Sequence, residues 1–166
     1  MAAAEPRSGR RSTPSSPDGP THAAPLLLYA VKQVELATRA HLDDLLKPSG
    51  VTALQYTALS VLEASGELSA AELARRSFVT AQSMADMVGV LTRKELIDRR
   101  RDEHDRKRLL ISLTSQGRAF LDDYREAVAE LDRQMTGSLT VRQRETLRRA
   151  LNECRAALAE LPLGNL

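Results

Sequence analysis

At three places where a helical pattern begins, a Ser or Thr is followed three residues later by Gln or Glu: Thr52 and Gln55, Ser69 and Glu72, Thr140 and Gln143. At that spacing the hydroxyl accepts from the third helical N–H while the longer side chain reaches back to the cap's own N–H, so each pair marks a helix start. The first two are bracketed by apolar staple partners, Val51 with Tyr56 and Leu68 with Leu73, and Thr80 repeats the pattern with Val79 and Met84. One helix therefore opens at Thr52 and runs to about Ala64, with Gly66 near the position where a left-handed residue closes it. The next is short, from Ser69 to near Arg76, and another begins at Thr80. Only Ser77-Phe78-Val79 separates these two, which is the spacing of a helix-turn-helix.

The flanking segments are also helical. Val31, Val34, Thr38, His41 and Leu45 recur at three- and four-residue intervals, predicting a helix over about residues 26–46 that the breakers Lys47-Pro48-Ser49-Gly50 end. Toward the C-terminus, Phe120, Tyr124, Val128, Leu131 and Met135 make one apolar stripe. Beyond Gly137, Leu147, Leu151, Cys154, Leu158 and Leu161 make another. Neither helix is stable alone in water, so each stripe must pack on something. Between these helical regions the period changes to two. Leu109, Ile111 and Leu113 alternate with Leu110 and Ser112, and Ile97 to Arg101 pairs with them as a β-hairpin whose tip is polar. Residues 1–24, rich in Pro, Ser, Gly and Ala, lack apolar periodicity and read as a disordered tail, or alternatively as a basic arm on DNA.

The expected fold is mainly α with a small β-hairpin wing: a winged helix-turn-helix over 52–113, flanked by helices over 26–46 and 115–162. Together these form one domain over 25–166. Charge gives this arrangement a use. The whole chain carries a net charge of only +2, so attraction to nucleic acid depends on where the charges sit. From Arg93 to Arg108 there are eight basic residues against five acidic, a larger surplus than that of the entire protein. Aromatic residues make up only 3%, which speaks against stacking splayed bases on aromatic platforms. A duplex-reading mode fits better.

In that mode the helix after Thr80 enters the major groove by its N-terminal end. Met84, Met87, Val88 and Leu91 form its inward stripe. Ala81, Gln82, Ala85, Asp86 and Gly89 lie opposite, and the small residues at four-residue spacing allow either close approach to the groove floor or packing on another helix. Gln82 suits a bidentate contact to adenine, Thr80 and Ser83 reach phosphates or bases, and Asp86 accepts from a cytosine amino group or orients an Arg. Arg75, Arg93 and Lys94 are candidates for phosphate contacts.

Leu91 through Arg101, followed by Asp105-Arg106-Lys107-Arg108 and then Leu113-Thr114-Ser115-Gln116-Gly117, resembles the MarR family of bacterial transcriptional regulators, over about residues 26–162. The resemblance implies wing contacts from Asp105, Arg106, Lys107 and Arg108. It also implies a homodimer in which the first and last two helices interlock and a pseudo-palindromic operator is read. Two positions depart from the family pattern. Lys107 stands where an Arg is frequent, keeping the charge but losing the planar fork. Glu95 stands where Gly is common at the end of the recognition helix, which costs about 1 kcal/mol if the backbone there is left-handed.

The resemblance further implies a repressor of its own or adjacent genes, released by a small, often aromatic, ligand. His41 and Tyr56 are candidates for lining that pocket, or else satisfied core groups. Some relatives sense oxidants through a cysteine, but Cys154, the one cysteine, falls in an apolar stripe where a thiol is inert packing. Cofactors and metals are not expected: one Cys with His22, His41 and His104 makes no ligand spacing. No phosphate loop, nucleophile elbow or His-Asp-Ser cluster points to an enzyme. No apolar run approaches membrane-spanning length, and the protein is read as cytoplasmic. A winged helix that docks on another protein without DNA affinity is the remaining alternative.

Overall fold

Thr52, in extended backbone, accepts from the Gln55 N–H (3.3 Å), and Gln55 Oε1 accepts from the Thr52 N–H (3.1 Å), so the first box forms as the sequence requires. Ser69 with Glu72 and Thr140 with Gln143 close the same reciprocal pair. In a computed structural model of the chain, which describes residues 26–102 and 109–159, these caps start three of six α-helices among the described residues. The helices are α1 (Leu27–Leu46), α2 (Ala53–Ser65), α3 (Ala70–Arg76), α4 (Ala81–Arg93), α5 (Ser115–Thr136) and α6 (Val141–Ala159). The strands are β1 (Leu68–Ser69), β2 (Ile97–Arg101) and β3 (Leu109–Leu113). The tail over 1–24, the wing residues 105–108 and Leu161 lie outside the described residues.

The hairpin strands fall where the alternation placed them. Ile97 pairs with Leu113 and Arg101 with Leu109, so Ile97, Ile111 and Leu113 share one face and are buried. β1 was not expected. Leu68 pairs with Ile111 and Ser69 with Leu110, making a three-stranded antiparallel sheet in the order β1-β3-β2. Leu68 thus serves as the staple before α3 and also covers the free edge of β3. Around this sheet the core gathers Leu59, Leu62, Leu73, Met84, Leu91 and Leu121, so α2, α3, α4 and the start of α5 share one interior.

The breaker segment after α1 forms a single 3₁₀ turn, Lys47–Ser49, closed by Gly50 in left-handed backbone (φ 63). Two contacts brace this corner. Asp43 Oδ1 accepts the Ala53 N–H at 2.6 Å, and Lys94 Nζ donates to the Ser49 carbonyl at 3.0 Å.

α5 is anchored through its first turn. The Thr114 hydroxyl oxygen accepts the Gly117 N–H (2.9 Å) as an N-cap and donates to the Glu95 carbonyl (2.6 Å), while the Thr114 N–H donates to Leu96 O (3.2 Å). Beyond Phe120, the stripe that runs to Met135 does not join the core. Gly117 and Leu121 do, with Phe120 packed half-buried beside them. Tyr124, Val128 and Leu131 lie half-buried along the flank and Met135 is exposed, and the Phe120 and Tyr124 rings meet tilted at 45° with centroids 4.9 Å apart. Farther along, Arg125 donates to Glu63 on α2 at 2.8 Å.

α6 buries none of its residues, and the first half of α1 exposes Leu27, Leu28, Val31 and Val34. Cys154 is exposed, not buried as expected, because the stripe it belongs to is covered by none of the described residues. No helix among the described residues is long and apolar enough to cross a membrane.

Candidate nucleic-acid interface

α4 is held by its apolar face and presents the other. Met84, Met87, Val88 and Leu91 are buried, whereas Thr80, Ala81, Gln82, Ser83, Ala85 and Asp86 are all exposed. The small-residue stripe therefore packs on no other helix of the described chain. Thr80 opens the helix by accepting the Ser83 N–H at 3.1 Å, and its own hydroxyl donates to Ser83 Oγ at 2.9 Å. Both hydroxyls are thus oriented before any ligand arrives. Gln82 Nε2 donates to Asp86 Oδ1 at 3.3 Å. The sequence reading gave Asp86 a cytosine or an arginine as partner. The structure gives it Gln82, a pairing that the four-residue spacing on a helix already signals.

The far end of α4 closes on a left-handed residue. Leu96 N–H donates to Leu91 O and Glu95 N–H to Thr92 O, both at 3.0 Å, with Glu95 at φ 57. Glu therefore occupies the backbone conformation that favours Gly, at the expected cost of about 1 kcal/mol.

The cations divide into two groups. Arg75, in the last turn of α3, and Arg93, in the last turn of α4, are exposed, as are Arg99 and Arg101 on β2. Lys94 is half-buried with its ammonium on Ser49. Arg100 makes a two-pronged pair with Glu67, Nε to Oε1 at 2.7 Å and Nη2 to Oε2. That bond holds the Glu67 carboxyl below the usual carboxylate range. Part of the basic surplus counted from the sequence is therefore neutralised within the chain, and the pair ties the wing strand to the loop before β1.

His41 and Tyr56 do not meet in one cavity. His41 lines a cavity of about 320 Å³ between α1 and α5, with Val34, Thr38, Leu131, Gln134 and Met135. Tyr56 does not line it. It is half-buried, its phenol pushed up by burial, and it lies within the influence of Ser60, Glu63 and Arg125. α2 turns Tyr56 toward the middle of α5, whereas the cavity opens near the far end of that helix.

Residues 49–108, enclosing the helix-turn-helix and β2, match the MarR family profile. A helix-turn-helix transcriptional repressor from Mycobacterium tuberculosis is 32% identical over 125 residues, covering 75% of this chain and 90% of the repressor. The chain belongs to the MarR family. It is a transcriptional regulator, not an enzyme. Two solved structures share its fold. A cysteine-to-serine variant of Escherichia coli MarR, complexed with operator DNA, is 22% identical with a TM-score of 0.68, covering 77% of this chain and 92% of that one. Bordetella bronchiseptica BpsR, whose DNA binding is regulated by 6-hydroxynicotinic acid, is 20% identical with a TM-score of 0.72, covering 82% and 98%.

Proposed function

We propose that the protein is a homodimeric repressor of its own or adjacent genes, reading a pseudo-palindromic operator through Thr80, Ala81, Gln82, Ser83 and Asp86. One observation carries this reading: the N-terminal face of α4 is wholly exposed, while the opposite face of the same helix is fixed in the core. Gln82 reads a base edge, with Asp86 orienting its amide. Arg75 and Arg93 take phosphates while Lys94 stays on Ser49, and Asp105, Arg106, Lys107 and Arg108 supply the wing contacts. The winged helix over 52–113 is the reading unit, and the helices over 26–46 and 115–162 form the dimer. The uncovered apolar residues of α1 and α6 support that division. In a two-fold dimer the half-sites lie about 34 Å apart.

A small aromatic ligand in the His41 cavity releases the operator. The cavity volume and its mix of apolar walls with His41, Thr38 and Gln134 suit such a molecule. The test is selection of duplexes from a randomised pool, with sedimentation to give the oligomeric state and binding repeated at two salt concentrations. An enriched palindrome, a dimer and a steep salt dependence are expected. Arg106→Ala with Lys107→Ala should weaken binding to all sequences and flatten the salt slope. Gln82→Ala should relax discrimination at one base position in each half-site. A monomer, or a pool without enrichment, overturns the reading. Hydroxylated aromatic acids should lower affinity for the selected duplex, and His41→Ala should blunt that response. An affinity unmoved by every acid rejects the ligand.

A further inference from the structure

Two non-glycine residues among those described have left-handed backbone, Glu95 and Phe78, the latter at φ 55. Both follow a helix end in the position glycine normally fills. Phe78 N–H donates to Arg75 O (3.4 Å) and Val79 N–H to Ala74 O (3.1 Å), the same two-bond closure that ends α4. Their side chains differ in what exposure costs. Glu95 is charged and suits water, whereas Phe78 holds an aromatic ring 66% exposed. Glycine at position 78 would avoid both the backbone strain and the wetted ring. The preceding residue adds another local cost: Ser77 is only 6% exposed, and its hydroxyl has no hydrogen-bond partner among the described residues. Penalties gathered on two adjacent residues, with no return to the fold, point to a use outside the chain. This turn leads from exposed Arg75 directly to the exposed segment Thr80–Ser83.

We propose that Phe78 is a DNA-contact residue, laying its ring against the deoxyribose and thymine-methyl edge of the duplex beside α4. The inference rests on the DNA-binding reading above. Apolar contact with a thymine methyl is a known use of Phe at a groove edge, and Arg75 three residues earlier supplies the cation for the neighbouring phosphate. The left-handed backbone fixes the direction in which the Phe78 side chain leaves the turn, and ordering of its rotamer is left to the binding step. Because the ring releases no counterions, it adds affinity equally at all salt concentrations.

The experiment measures wild type, Phe78→Ala and Phe78→Gly on the duplex most enriched by the wild type from a randomised pool, at two salt concentrations, alongside thermal melts. Both variants should bind about tenfold more weakly per bound copy, the loss expected from baring part of one aromatic side chain. The salt slope should not change, and Phe78→Gly should melt at or above the wild-type temperature because its backbone strain is relieved. Wild-type affinity in both variants overturns the proposal, as does a loss of affinity that tracks a fall in melting temperature in both. An altered oligomeric state with unaltered DNA binding also overturns it, by assigning the ring to a protein contact. A wild type that enriches no duplex removes the DNA reading itself, and that failure is seen before any variant is made.

Discussion

Replacing Gly117 by Ala tests how the winged helix is joined to α5. A Cβ at that position would stand 2.0 Å from the Leu96 carbonyl oxygen and 3.0 Å from its carbon, with a Leu113 methyl at 3.3 Å. To reach even a close carbon–oxygen separation of about 3.3 Å, the two backbones must part by more than an ångström. That movement strains the Thr114 N–H to Leu96 O bond, already 3.2 Å, and the Thr114 hydroxyl bond to Glu95 O. Overpacking costs about 1–3 kcal/mol and a lost hydrogen bond about 1 kcal/mol more, against a gain of about 1 kcal/mol from putting Ala in a helix. The net loss is about 1–3 kcal/mol, or a fall in Tm of about 3–10 °C for a chain of this size. Gly89→Ala is the matched control. Its Cβ would meet only the Arg93 Nη1 at 3.5 Å, so the helix gain stands and stability rises by about 0.5–1 kcal/mol. Urea unfolding of both variants, at one protein concentration and with unchanged m-values, should move the midpoint in opposite directions. A Gly117→Ala midpoint at or above wild type refutes the close approach as the reason for glycine there.

Other perturbations follow from the same contacts. Thr52→Ala removes the acceptor for the Gln55 N–H and should cost about 1 kcal/mol by chemical denaturation, with Thr52→Ser restoring most of it. Glu67 titrates below an unfolded carboxylate because Arg100 donates to it. Its contribution is therefore present above the unfolded value and lost as pH falls through the folded one. The urea midpoint of Glu67→Gln should start lower at neutral pH and converge on wild type in acid; parallel curves would reject the pair as an acid-sensitive tie.

The helix starts were legible because their chemistry is local: at the first turn of a helix, a hydroxyl and a carboxyl or amide three residues apart satisfy each other without help from distant residues. The hairpin was legible because a period of two survives in Leu109, Ile111 and Leu113. What escaped the sequence depends on distant partners. β1 is two residues long, and its only signal, Leu68, was already accounted for as a staple. The left-handed Phe78 carries no residue-type warning, since the side chain there is one that rarely adopts that backbone. Leu121 is buried while only Phe120 of the predicted stripe packs on the core, because Gly117 brings α5 down on Leu96 at one angle, which no spacing on α5 alone reveals. At the candidate site, the exposed face of α4 could be drawn from its period. The neutralisation of Arg100 by Glu67 joins residues thirty-three apart, and the separation of His41 from Tyr56 follows from how α1 and α2 turn against α5.

Leu96 and Thr114 leave no slack where α4 hands over to α5: one carbonyl is gripped by an amide and roofed by a residue with no side chain, and the neighbouring carbonyl is held by the same threonine that starts the helix. A joint built this way transmits rotation instead of absorbing it. On the dimeric reading proposed above, tilting α5 would carry α4 with it, so the gap between the two copies of α4 would follow how the long helices cross.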